Sequence, residues 1–167
     1  MSTRNEAGLR KSSRILVIDD DESIRKTISM TLEHAGYVVD TAETGKQAIQ
    51  KSEVNFYNLA IIDIRLPDIE GTELLTALSE TTPKIVKIIL TGFPGMDNAL
   101  KAINKGVDGY LIKPVSSEEL VRVVKEHLKK QEQEMTYSEE RVAEFVDTRI
   151  KELESQQRER QENGKEA

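Results

Sequence analysis

The stretch Leu59-Ala-Ile-Ile-Asp-Ile-Arg-Leu-Pro67 sets one carboxylate near the end of an almost unbroken apolar run, and a Leu-Pro step follows. Strand-forming residues without polar alternation describe a strand covered on both faces, as parallel strands flanked by helices are. An unpaired charge inside such a run must be neutralised or paired. At the carboxyl end of the strand, Asp63 can instead face the crevice where open α/β sheets bind their ligands. On this stretch alone Asp63 is either a structural cap of the next turn or a chemical group.

The same grammar recurs along the chain. Arg14 to Asp19 reads as a first buried strand, with Asp20, Asp21 and Glu22 following at its end. From Ser23 to Ala35, Ile24, Ile28 and Leu32 keep a helical period, and Gly36 stops it. Tyr37–Thr41 is a second strand, and Thr44 caps a helix through Ser52 with Ala48 and Ile49 on its inner face. After the third strand (Leu59–Ile64) come a helix over Gly71–Leu78 and a fourth strand over Ile85–Leu90, ending at Thr91. The loop Gly92–Gly95 leads to a helix over Met96–Lys105 that Gly106 closes. Gly109–Ile112 is the fifth strand, ended by Lys113-Pro114, and Ser116-Ser-Glu-Glu119 is a capping box for a helix through Leu120, Val123, Val124 and Leu128. Strand and helix alternate with connections short enough for right-handed crossovers, which place helices on both faces of a parallel sheet. The expected fold is a three-layer, doubly wound α/β sandwich on five strands. Residues 1–13 read as a flexible lead-in, 14–130 as the domain, and 131–167 as an acidic, partly helical C-terminal extension.

Composition narrows the function. The chain has no cysteine, which excludes disulfides and thiolate metal sites and fits a reducing cytoplasm. No apolar run is long enough to span a bilayer, and Met1–Ser13 lacks the apolar core of a signal peptide, so no membrane association is expected. From Gln131 onward there are 11 acidic and 6 basic side chains, so this segment carries 6 − 11 = −5 of the net −6. Such an acidic end, with no Trp and few aromatics, speaks against direct nucleic-acid binding, and none is expected.

In a parallel sheet all carboxyl ends of strands lie along one edge. Asp19 and Asp20, Asp63, Thr91, and Lys113-Pro114 therefore converge on one crevice. Crowded carboxylates raise one another's pKa unless a cation neutralises them. No His or Cys stands with them, so a hard, oxygen-preferring ion such as Mg²⁺ is indicated. A hydroxyl and an ammonium opposite the metal suit a group carrying spread negative charge, as phosphoryl transfer requires. Taken singly each residue has a plainer reading. Asp19 to Asp21 can be an acidic helix start, Thr91 a strand end, Lys113 a solvated rim charge, and Tyr110 packing. His34 and His127 fall on helices and are expected to face solvent.

Taken together, Ile-Leu-Val-Ile-Asp-Asp near the start, Asp-Ile-Arg-Leu-Pro-Asp-Ile-Glu-Gly in the middle, then Leu-Thr-Gly and Tyr-Leu-Ile-Lys-Pro resemble the receiver domain of two-component response regulators, over roughly Arg14 to Lys130. The resemblance implies a flavodoxin-like sheet with strand order 2-1-3-4-5. It implies that Asp63 is the phosphoacceptor, that Asp20 ligates Mg²⁺ directly, and that Asp19 acts largely through metal-bound water. The backbone carbonyl of Arg65 is implied as a further ligand. Thr91 and Lys113 are implied to contact the phosphoryl group, Thr91 and Tyr110 to form the switch, and the peptide before Pro114 to be cis.

By the same resemblance the chain is a phosphoryl-accepting switch rather than an enzyme with a separate substrate, although it assists phosphotransfer to itself and its own dephosphorylation. Its implied partners are a sensor histidine kinase and a downstream protein, and its assembly is either monomeric or a phosphorylation-dependent homodimer. The alternative is a phosphorylation-independent scaffold acting through its C-terminal helix. In that segment Thr136-Tyr-Ser-Glu139 offers a second capping box, and Val142, Val146, Ile150 and Leu153 mark one helical face. The stripe is short for a coiled coil. It reads either as an amphipathic helix packing on its own domain or fading into a charged end, or as a dimerising or partner-docking helix. Arg65 and Phe93 are expected to flank the phosphoryl group, and an apolar Phe93 hinders the water that hydrolyses an acyl phosphate. Phe93→Glu should therefore shorten the phosphate lifetime in a timed dephosphorylation assay, and equal lifetimes would remove the idea.

Overall fold

The computed structural model describes residues 13–163 apart from 83, 93, 94, 96–103 and 105. Each apolar run is a strand: β1 (Arg14–Ile18), β2 (Val38–Ala42), β3 (Leu59–Ile62), β4 (Val86–Thr91) and β5 (Gly109–Ile112). They form one sheet in the order β2-β1-β3-β4-β5, parallel throughout. The helices are α1 (Glu22–His34), α2 (Gly45–Val54), α3 (Gly71–Thr81) and α4 (Ser117–Asn163). The helix expected over 96–105 and the lead-in over 1–12 lie outside the described residues.

Covering both faces is what makes the strands continuously apolar. Ile15, Val17, Leu59, Ile61, Ile88 and Leu90 face Ile28 and Leu32 of α1 and Leu120, Val124 and Leu128 of α4. The alternate residues Leu16, Ile18, Ala60, Ile62 and Ile89 face Ala48 of α2 and Leu74, Leu75 and Leu78 of α3. Each fully buried aliphatic side chain contributes about 1.5–3 kcal/mol of transfer free energy, so two such layers supply the driving force for the domain.

The helix starts follow local chemistry. Thr44 Oγ1 accepts from Gln47 N at 3.2 Å, and Ser116 Oγ accepts from Glu119 N at 3.1 Å. Gly36 takes φ +98° just beyond α1, a conformation that favours glycine. The second capping box at Thr136 does not start a helix, because α4 runs through it without a break. The Ser138 hydroxyl instead donates back to the Glu134 carbonyl at 2.9 Å, the alternative open to a hydroxyl inside a helix.

The chain divides into two compact units, Met1–Leu128 and Lys129–Ala167. The second is helical through Asn163.

The turn after β3 closes tightly. Gly71 N donates to Ile64 O at 2.8 Å, and Arg65 bridges Glu70. A Cβ at position 71 would lie 2.5 Å from Asp63 O and 2.8 Å from Ile64 Cα, both backbone atoms that cannot rotate away. Gly71→Ala should therefore destabilise the domain by about 2 kcal/mol, the scale of forced overpacking. A urea-unfolding midpoint equal to the wild type would show that the turn relaxes freely.

Candidate functional site

Ile18 and Ile62 are register partners in adjacent strands, so the residues that follow them emerge side by side. The backbone fixes this further: Asp63 N donates to Ile18 O at 2.9 Å, and Asp19 N to Ala42 O at 3.1 Å. One carboxylate oxygen from each of Asp19, Asp20 and Asp63 lies within 4.8 Å of the others. Asp19 is 3% exposed and Asp63 7%, whereas Asp20 is open to solvent. From the end of β5, Lys113 Nζ reaches 2.6 Å from Asp19 Oδ2 and 3.5 Å from Asp63 Oδ2. The ammonium thus sits nearer Asp19 than the proposed acceptor.

Thr91, wholly buried, ends β4 opposite Ile112, and its carbonyl accepts from Lys113 N at 2.8 Å. The Lys113-Pro114 peptide is cis. Arg65 N donates to Asp63 Oδ1 at 3.3 Å, so Asp63 caps its own turn. Tyr110 packs on the Leu16–Ile62 side of the sheet, and its shielded hydroxyl has no hydrogen-bond partner among the described residues. Phe93 lies outside the described residues. His34 is exposed as expected. His127 is only half-exposed, because it packs against Gly109, where an added Cβ would approach its Nε2 to 3.0 Å.

Two supporting residues were not singled out from the sequence. Arg25 is 8% exposed. Its Nη1 donates to the carbonyls of Asp19 at 2.8 Å and Asp20 at 3.0 Å, and its Nη2 donates to Glu43 Oε1 at 3.1 Å. The guanidinium thereby holds the acidic loop from behind. The available signal was spacing: Arg25 stands three before Ile28 and seven before Leu32, on the core face of α1. Asp68 accepts from Gly45 N and Lys46 N, both at 2.9 Å, and ties the β3–α3 turn to the start of α2. No local sequence signal points to that long-range cap.

Burial, followed by the nearby Asp19 carboxylate, raises the Asp63 pKa above its usual value; Lys113 and the Arg65 N–H oppose this without cancelling it. A site that crowds three oxygen donors and leaves one buried carboxylate disfavoured as an anion fits a divalent cation. The donor set is all oxygen, so a hard ion suits it.

Fold and site together define a doubly wound α/β domain with an acidic cluster at the carboxyl edge of its sheet. The family model for the response regulator receiver domain matches residues 15–125. A CheY-like receiver domain protein from Methanospirillum hungatei is 42% identical with a TM-score of 0.71, over 73% of this chain and 98% of that one. A response regulator from Burkholderia pseudomallei, solved with a phosphorylated aspartic acid, calcium ion and citrate, is 26% identical with a TM-score of 0.65, over 76% of this chain and 75% of that one. Response regulator ArlR of Staphylococcus saprophyticus is 32% identical over 72% of this chain and 54% of that protein. The chain belongs to the response regulator receiver domain family of two-component systems. It spans about half the length of the curated relatives it matches. These relatives lend no support to the expectation that nucleic acid is excluded as a partner. No described helix is long and apolar enough to cross a membrane.

A raised carboxylate pKa in the native state means that ionising Asp63 opposes folding. This penalty is absent below about pH 4, where the group is protonated folded or unfolded, and grows as pH rises through the native value. In divalent-free solution at neutral pH, Asp63→Asn should therefore be more stable than the wild type, with the advantage vanishing in acid. Urea unfolding across pH measures it; a less stable variant at neutral pH would mean that the Lys113 pair outweighs burial.

Proposed function

We propose that this chain is a phosphorylation switch that accepts a phosphoryl group on Asp63 from a sensor histidine kinase and signals by changing its affinity for a downstream protein. The observation that carries this reading is the gathering of Asp19, Asp20 and Asp63 within 4.8 Å, with the Lys113 ammonium among them. Asp19, Asp20, Asp63 and the Arg65 carbonyl would hold Mg²⁺. When bound, the ion supplies neutralisation of the phosphoryl oxygens and of the acidic cluster.

In transfer, an Asp63 carboxylate oxygen forms a bond to phosphorus while the donor's phosphorus–nitrogen bond breaks and the imidazole leaves with the electron pair. The turn holds the nucleophile in place through the Arg65 N–H, and the buried setting limits water. Lys113 is placed to exchange its carboxylate partners for a phosphoryl oxygen. Thr91, at the end of the neighbouring strand, supplies a hydroxyl for another. The new charge biases a pre-existing equilibrium between two surface states. Tyr110, whose hydroxyl has no hydrogen-bond partner among the described residues, is suited to swing between them. The chain acts on no separate substrate, works in the cytoplasm, and promotes only its own phosphorylation and dephosphorylation. The scaffold alternative draws no support from an intact carboxylate cluster, which a phosphate-independent tail does not need.

Incubation with a small phosphodonor and Mg²⁺, read by intact mass, should show one phosphoryl group on the wild type and none on Asp63→Asn. Omitting Mg²⁺ should suppress labelling. Phosphate incorporation that persists in Asp63→Asn would overturn the assignment.

A further inference from the structure

Among the described residues, the exposed large hydrophobic side chains concentrate in the second unit: seven of the twelve lie between Met135 and Leu153. Val142, Val146, Ile150 and Leu153 are 62%, 48%, 50% and 45% exposed. Their spacing of four, four and three residues puts them on one face of α4. A contiguous apolar face in an otherwise charged helix marks an interaction surface.

We infer that this face of α4, with Ala143, Val146, Ile150 and Leu153 in the seam and Val142 beside it, pairs in a parallel homodimer with a second copy of the chain as its occupant. The residue types and flanking charges select that occupant. A two-stranded coiled coil places apolar residues alternately three and four apart, at the positions called a and d. Val146 and Leu153 fit successive d positions, with Ile150 at the a position between them and Ala143 at the preceding a. The Ile150–Leu153 pair, a β-branched residue at a with Leu at d, favours two strands. The seam ends at polar residues on both sides, Thr136 and Glu139 before it and Gln157 after it. It therefore spans roughly two heptads, and association is weak and concentration-dependent. Phe145 lies outside it.

The flanks decide the orientation. Asp147 and Glu154 follow the d residues on one side of the seam, and Arg149 precedes Ile150 on the other. In a parallel pair the two flanks face each other, and Arg149 comes opposite Glu154 of the partner subunit. In an antiparallel pair each flank faces its own copy, so arginine meets arginine and acid meets acid. Within the chain Arg149 pairs with Glu152, and Lys151 with Asp147, both at 2.8 Å. These side chains are more than half exposed, and such surface pairs are weak enough to be exchanged.

The test uses the full chain in sedimentation over a range of micromolar concentrations. The wild type should dimerise as concentration rises, and Ile150→Asp should weaken association by about tenfold or more. Arg149→Glu should weaken it, and adding Glu154→Arg should restore it. Because the chain has no cysteine, Ala143→Cys provides a single thiol, and a parallel seam brings the two copies of it together to form a disulfide. Phosphodonor labelling of Asp63, measured on the same samples, should not change with Ile150→Asp, so failure of the seam is distinguishable from failure of the phosphorylation reading. A chain that stays monomeric overturns the inference, whether the stripe folds against its own first unit or serves another protein. So does a dimer indifferent to Ile150→Asp, or one in which the paired charge exchange fails to restore association.

Discussion

The rest of the structure depends on how one sheet edge tolerates like charges. Asp19 and Asp63 are almost completely removed from water, and isolated charges in such places cost several kcal/mol each. Two cationic side chains make the arrangement possible. Lys113 comes from the end of β5, the edge strand, and contacts both carboxylates. Arg25 approaches from α1 and binds the backbone carbonyls of the acidic loop rather than its carboxylates. The division matters. Arg25 fixes where the acids are while leaving their oxygens free, whereas Lys113 occupies the oxygens and must be exchangeable.

Stability and function pull in different directions here. As the proposed nucleophile Asp63 would act as the anion, yet burial and the Asp19 charge favour its protonated form. A divalent cation at the acidic cluster would resolve this by making the ionised form acceptable. The surrounding turn has to be stiff for the same reason. The Gly71 backbone fits against the Asp63 carbonyl with no room for a Cβ, and Asp68 fastens the turn to α2. Both contacts hold in place the turn that carries Asp63.

Much of this was legible before any coordinates, because the determining signals are local. Apolar runs with both faces covered, Gly36 after a helical period and Thr44 at a helix start all act within a few residues. The convergence of Asp19, Asp63, Thr91 and Lys113 then follows from parallel topology alone. What stayed hidden was non-local or ambiguous. Arg25 occupies a core-facing position, but the carbonyls it grips are not encoded in its spacing. Asp68 carries no local signal because its partners, Gly45 and Lys46, are more than twenty residues away. Thr136-Tyr-Ser-Glu139 satisfied the capping-box pattern, yet nothing around it breaks a helix, and continued propagation prevails where neither Gly nor Pro intervenes.

The second unit follows a different balance of forces from the first. In the domain, apolar burial fixes the fold, and a few charges are accommodated at its edge. In α4 beyond Leu128 the backbone is already satisfied by the helix, so apolar area governs association rather than folding. A stripe as short as Val142–Leu153 gives only modest affinity to any partner, which leaves selection to the charges beside it. Arg149 on one flank and Asp147 and Glu154 on the other form an asymmetric pattern. Such a pattern discriminates between orientations of a like helix even though no single surface pair is worth more than about 1 kcal/mol. Weak attraction with a repulsive alternative is the combination expected of an assembly that forms and dissolves as concentration or conformation changes.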